Sequence, residues 1–200
     1  MIPRKPDQLK HVVSLDIEST SLLPWRRSIL SIGAKNPLTN NEFYIETIPF
    51  PDADLDPGAL RVNGETKQSI LLRREPEYAT QGRALAELFA FCAKEGNKRI
   101  LLGKNPRFDY DIMLEAWVRL TGSEKDFWFT HNTIDWTELA IPYILYKGYT
   151  IPETGCSTLF LNRTLRLPEE ERPHIAINGA RYNIRAFKHI MRLYDDDASS

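Results

Sequence analysis

Apolar residues along the chain recur with two different periods. Near the N-terminus, three β-rich runs are separated by short turn-forming stretches: His11 to Ile17 (HVVSLDI), Ser28 to Lys35 (SILSIGAK) and Glu42 to Ile48 (EFYIETI). That spacing predicts an antiparallel meander. Pro51 to Thr66 is dense in Pro, Asp and Gly and reads as a loop with room for one short helix. A helical period then takes over, with Ala84, Leu85, Leu88, Phe89 and Cys92 inside Thr80 to Glu95. Lys98 to Gly103 (KRILLG) supplies a short apolar strand. Phe108, Ile112, Met113, Ala116, Trp117 and Leu120 mark a second helix and Trp136 to Tyr146 a third. The last helix carries Ile177, Ala180, Ile184, Phe187, Met191 and Tyr194. Three strands followed by alternating helices and strands predict the α/β class, with a mixed sheet covered by helices. Neither a repeat nor a long linker divides the 200 residues, so residues 1 to 200 read as one domain with a core from about 11 to 194. The closing DDDASS reads as a frayed end.

Composition narrows the partners. With 26 Lys plus Arg against 27 Asp plus Glu, the net charge is −1, so no global positive field recruits a polyanion and any nucleic-acid contact must be local. Cys92 and Cys156 lack metal-binding spacing and could form at most one bridge, so a reducing cytoplasm is the easier reading. MIPRKPDQLK lacks the apolar core of a signal peptide, and no apolar run approaches the roughly 20 residues that span a bilayer. The expectation is a cytoplasmic protein without a membrane segment, in the host cytoplasm if phage-encoded.

Three short patterns carry chemistry. In VVSLDIEST, Asp16 and Glu18 stand two apart at a strand end, which puts both carboxylates on one face where they could share a hard divalent cation. A bare D-x-E is more often a solvated strand end. In LLGKNPRFDYDI, Asn105 and Asp109 lie at a helix start; Asn105 could serve as N-cap, and the helix dipole favours Asp109 even without a metal. Asp111 lies about 200° around that helix from Asp109 and cannot easily face the same ion. In PHIAINGARYN, His174 precedes an amphipathic helix, where an imidazole could take a proton from water.

In this order the three patterns resemble those of the DEDD superfamily of 3′ to 5′ exonucleases, in its histidine-bearing branch, the DEDDh exonucleases. The family pattern is D-x-E, then N-x-x-F-D, then H-x-A-x-x-D-A. It stands here as Asp16-Ile17-Glu18, Asn105 to Asp109, and His174 to Ala180. DIESTSL resembles the usual extension of the first motif, and GALRVNGET (Gly58 to Thr66) the segment linking sheet and next helix. The resemblance covers about residues 11 to 194 and implies a ribonuclease-H-like fold, a mixed five-stranded sheet with three antiparallel strands first, flanked by helices.

It also implies two divalent cations, Mg²⁺ with Mn²⁺ as substitute, held by Asp16, Glu18, Asp109 and a fourth carboxylate. His174 would be the general base for phosphodiester hydrolysis. The implied substrate is a single-stranded 3′ end, DNA slightly ahead of RNA, released as nucleoside 5′-monophosphates. Ser19, Thr20, Leu22, Leu23, Asn105 and Phe108 would contact it. Trp25, Arg26 and Arg27 could hold backbone phosphate, whereas NKR (Asn97 to Arg99) and LNRTLR (Leu161 to Arg166) read as solvated surface. Some relatives dimerise, so a homodimer stays open.

At the fourth carboxylate's position this chain has Gly179. Glycine is unfavourable in an early helical turn by about 0.5 to 1 kcal/mol against alanine, which argues against a structural reason for it. Asn178 points about 100° away, and Glu169, Glu170 and Glu171 would approach only if their loop folded back, which is not expected. Impaired hydrolysis is the expectation, with a catalytically inactive 3′-end-binding module as the alternative.

Overall fold

A computed structural model describes residues 9–171 and 174–198, without the side chain of Ala198. The sheet contains β1 (Val12–Ser19), β2 (Ile29–Lys35), β3 (Glu42–Glu46), β4 (Ile100–Gly103) and β5 (Thr133–Asp135), in the order β3-β2-β1-β4-β5. The first three strands form the expected antiparallel meander, while β4 and β5 add in parallel to β1. Parallel addition requires crossovers. α3 (Gln81–Lys94) precedes β4, and α4 (Pro106–Thr121) joins β4 to β5.

The sheet separates two cores. Val13, Leu15 and Ile17 of β1 pack with Leu85, Leu88, Ile112 and Met113 of α3 and α4 on one face. Val12 and Leu102 pack with Trp136, Leu161, Ile184 and Phe187 on the other. That second layer comes from α5 (Trp136–Tyr146), α6 (Thr158–Leu165) and α7 (Ala176–Ala198). Alternation along β1 therefore has both faces to serve, and its side chains read as a nearly continuous buried run.

The expected loop from Pro51 to Thr66 holds α1 (Pro57–Val62), and α2 (Lys67–Leu71) follows it; Asp56 and Thr66 cap them by accepting from the backbone N–H groups of Ala59 and Ser69. β5 and α6 are too short to show a period. Three expectations need correction. α7 continues through Asp195–Asp197 rather than fraying there, and Ser199 and Ser200 lie outside the described residues, as does Pro173. Lys98 is not solvated surface: it is 1% exposed, and its Nζ donates to the Leu9 carbonyl. Leu120 faces outward, 45% exposed. Among the described residues no helix is long and apolar enough to cross a membrane.

Candidate active site

The sheet opens at the C-terminal end of β1. β4 leaves β1 after the Ser14–Leu102 pair, so the next ladder positions on that edge lack a strand partner. α4 supplies one: Asp109 Oδ1 accepts from the backbone N–H of Ile17 at 2.9 Å. This bond seats Asp109, 5% exposed, beside the D-x-E of β1. Period two places Ser14, Asp16 and Glu18 on the face turned toward α7, as the Ser14 Oγ bond to the Ala180 carbonyl at 2.7 Å shows. Asp16, Glu18 and Asp109 thus line one cleft of about 720 Å³.

Two glycines let α7 press onto that face. Gly33 pairs with Asp16 across β1 and β2. A Cβ on Gly33 would collide with the backbone of Ala176 and Ile177, so only glycine allows the first turn of α7 to lie there. A Cβ on Gly179 would collide with the Asp16 carboxylate. This corrects the expectation that Gly179 has no structural reason: Asp16 occupies the space that a side chain at 179 would enter.

The acidic stretch before His174 also departs from expectation. Its chain folds back toward the cleft, and Glu170 Oε1 comes within 3.4 Å of His174 Nδ1. Glu170 is close enough to add its repulsion to Asp16 and Glu18. Glu171 turns the other way to pair with Arg185 at 2.5 Å, and Asn178 is buried at the base of α7.

The electrostatics are those of crowded acids. Burial pushes the Asp16 carboxyl well above the ordinary 3.8, and the charges of Asp109, Glu18 and Glu170 add to the rise. Burial likewise raises Asp109 well above 3.8, opposed by the Ile17 N–H. Glu18 is raised by burial, with His174 pulling it down and Glu170 pushing it up. Burial lowers the Lys104 ammonium, which also lines the cleft, against the pull of Asp135 and Glu170.

The remaining expected site residues divide. Ser19, Leu22, Asn105 and Phe108 line the cleft. Leu22 and Leu23 are both largely exposed, at 70% and 68%, but Leu23 is not part of the lining. Thr20 is fully buried and accepts from the Ser28 N–H, so it holds the turn instead of facing a ligand. Asn105 is no side-chain cap: it sits in the left-handed region at φ 48°, and its backbone N–H donates to Asp135. Arg27 is unavailable for phosphate, being 8% exposed in a two-pronged pair with Glu115 at 2.6 and 2.8 Å and stacked over Phe108. Trp25 is 82% exposed and Arg26 pairs loosely with Asp54 at 3.4 Å. Asp111 pairs with Arg107 at 2.9 Å, away from Asp109.

Sequence reasoning missed Lys104, Arg61 and Asn63, all of which line the cleft. Lys104 precedes the N-x-x-F-D motif directly, and Arg61 and Asn63 fall in GALRVNGET. The cations at two of the matched segments, Lys104 and Arg61, were the available signal.

The donor set suits a hard divalent cation: three carboxylates crowd one cleft, and two of them are raised by burial and mutual repulsion. They are not gathered on a point, however. Among the described residues no three His, Cys, Asp or Glu side chains stand close enough together to hold an ion. Asp16, turned against Gly179, would have to rotate toward Glu18 and Asp109 to complete such a set.

No known family profile matches the sequence, and no curated protein matches it. Solved structures do match. The cell-death related nuclease CRN-4 superposes with TM-score 0.65 at 14% identity over 92% of this chain and 64% of its own. Exonuclease I of E. coli bound to a dT13 oligonucleotide gives TM-score 0.65 at 17% identity over 92% of this chain. The nuclease domain of 3′hExo, a DEDDh family member bound to rAMP, gives 0.58 at 14% identity over 92% of each chain. This chain spans only 42% of the length of that exonuclease I structure. The fold is the ribonuclease-H-like α/β fold of these nucleases.

Proposed function

We propose that the chain seats the 3′ end of a single strand in the β1–α4 cleft and is built for 3′ to 5′ phosphodiester hydrolysis, with turnover impaired by Gly179. The observation that carries this reading is the joint placement of Asp16, Glu18 and Asp109 in one cleft with His174 beside Glu18. The shared fold supports it, as do the oligonucleotide bound to exonuclease I and the nucleotide bound to 3′hExo. DNA is the first substrate to try, with RNA beside it.

Asp16, Glu18 and Asp109 would hold Mg²⁺ or Mn²⁺, which when bound supplies positive charge to the phosphate and acidifies water. The chain's own groups do the rest. Lys104 and Arg61 offset phosphate charge at the cleft walls. Leu22 and Phe108 offer apolar surface to the terminal bases, and Asn105 and Asn63 offer polar edges. Glu170 faces His174 Nδ1, which leaves Nε2 free to accept a proton from the attacking water. The product would be a nucleoside 5′-monophosphate.

One observation favours a second reading, end-binding without cleavage. Asp16 fills the space at position 179 and the carboxylates are not gathered on a point. The two readings separate in a time course on 5′-labelled single-stranded DNA and RNA, with Mg²⁺, Mn²⁺ or chelator, for this chain and Gly179→Asp. Slow, metal-dependent shortening from the 3′ end that accelerates in Gly179→Asp is the expected result. Binding without shortening in either protein would leave the end-binding reading. Preference for free mononucleotides would overturn both.

A further inference from the structure

Basic residues recur on α7 at Arg181, Arg185, Lys188 and Arg192, spacings of four, three and four that align them along one face of the helix. The stripe starts two residues beyond Gly179 and extends about 20 Å from it at 1.5 Å per residue. Its near end is neutralised: Arg181 pairs with Glu42 at 2.6 Å and Arg185 with Glu171 at 2.5 Å. Its far end is open. Lys188 and Arg192 are exposed, and among the described residues no carboxylate is ion-paired to either. Of the acids that follow on α7, Asp197 pairs with Lys147 at 2.7 Å.

The connection after α6 lies alongside. Leu167 and Glu169 point into a groove shared with Glu170 and His174, whereas Arg166 and Pro168 point into a second groove with Arg185, Lys188, His189 and Arg192. This second groove, about 400 Å³, has no acidic residue in its lining. Arg166 ends α6 in the left-handed region at φ 52°, a position that favours glycine, so the backbone is held unfavourably while the long cationic side chain faces the groove. His189 is tied to the Leu165 carbonyl at 2.9 Å, which fixes the groove floor between α6 and α7.

We propose that this groove binds backbone phosphates of the single strand upstream of the 3′ end, with Arg166, Lys188 and Arg192 as the contacts. The inference rests on the exonuclease-type reading of the cleft: a strand whose end sits by His174 passes over the Leu167–Pro168 ridge and meets the open half of the stripe. On a chain of net charge −1, three cations with no ion pair among the described residues, in a groove lined by no acid, form the local positive site that a polyanion requires.

The test compares 5′-fluorescein trinucleotides with oligonucleotides of about 15 residues, spanning the usual site sizes. Anisotropy is read in chelator across a salt series. Variants are Arg166→Gln/Lys188→Gln/Arg192→Gln and, as control, Lys94→Gln/Lys125→Gln on remote exposed lysines. The groove variant should bind the long strand about tenfold more weakly, with a salt slope lower by about 2, near 0.7 per lost contact. Trinucleotide binding and the control should match the unmodified chain. Equal loss in the control, loss for the trinucleotide, or no loss for the long strand would overturn the groove while leaving the cleft reading standing. If the unmodified chain binds neither length, the cleft reading falls and the groove with it.

Discussion

The two walls that flank Asp16 are built differently, and the difference explains where the chain keeps the motif carboxylates and where it does not. One wall is β1 and the first turn of α4. Asp16 and Glu18 ride on a strand buried on both faces, and Asp109 is fixed by the Ile17 N–H at 2.9 Å. The other wall is the start of α7 and the chain leading into it, where Gly179 lacks a carboxylate, Asp16 leans into the gap and Glu170 swings in beside His174. Core packing fixes the backbone of the first wall and the Ile17 N–H fixes Asp109, which leaves the Asp16 side chain to turn. Close backbone approach and side-chain charge fix the second, which can be rearranged by a single residue.

The largest effect should come from breaking the rigid wall. Asp109→Asn keeps an acceptor for the Ile17 N–H and removes only the charge. Hydrolysis of the labelled strand should fall by about 10²- to 10³-fold, the range for losing one electrostatic stabiliser, while urea unfolding in chelator shows no loss of stability. A fall in stability that accounts for the lost activity would assign Asp109 to structure.

The two glycines sharpen the comparison. A Cβ at Gly33 meets backbone, which cannot yield, so Gly33→Ala should cost about 3 kcal/mol and lower the melting temperature by about 6 to 12 °C for a chain of this size. A Cβ at Gly179 meets the Asp16 side chain, its carboxylate most closely, which can rotate, so Gly179→Ala should cost about 1 kcal/mol. Gly179→Asp should match the alanine in chelator and gain melting temperature with Mn²⁺ well beyond it. Equal costs at the two glycines would show that the Asp16 side chain yields no more easily than the α7 backbone.

Glu170 gives a smaller effect. If it orients His174, Glu170→Gln should lower turnover by about tenfold, the low end for groups that hold a reacting side chain, with strand affinity unchanged. Glu171→Gln, whose side chain pairs with Arg185, serves as the control; matching losses would remove Glu170 from the site.

The same division decides what was legible in the sequence. The meander, α3, α4 and α7 were readable because their apolar periods are long, and D-x-E was readable because period two survives in a buried strand. β5 and α6 were not: three and eight residues carry too little period. Thr20, Arg27 and Lys98 look like surface or ligand-facing residues in the sequence, but Thr20 is held by Ser28 across its own turn, and Arg27 and Lys98 are buried by long-range partners that no local pattern encodes. Glu170 and Gly179 were misread for the same reason. Whether a loop folds back and what a missing Cβ makes room for are properties of the neighbouring chain.

The smallest effect is also the most specific to the rigid wall. Asp16 and Asp109 bind protons more tightly when folded than their ordinary value of 3.8 allows when unfolded, so the folded state holds more protons. Their contribution to stability is therefore fully present below that value and is lost as pH rises through the raised folded ones. Paired acids run the opposite way: Arg181 holds Glu42 down at about 2, so its contribution is present above the ordinary 4.5 and disappears as pH falls toward 2. In chelator, urea midpoints of the unmodified chain should decline from about pH 4 upward relative to Asp109→Asn, which has no charge to develop at that position. Mn²⁺ should flatten the decline by neutralising the cluster. Parallel curves for the two proteins in chelator would show that the crowding of Asp16 and Asp109 carries no energetic weight.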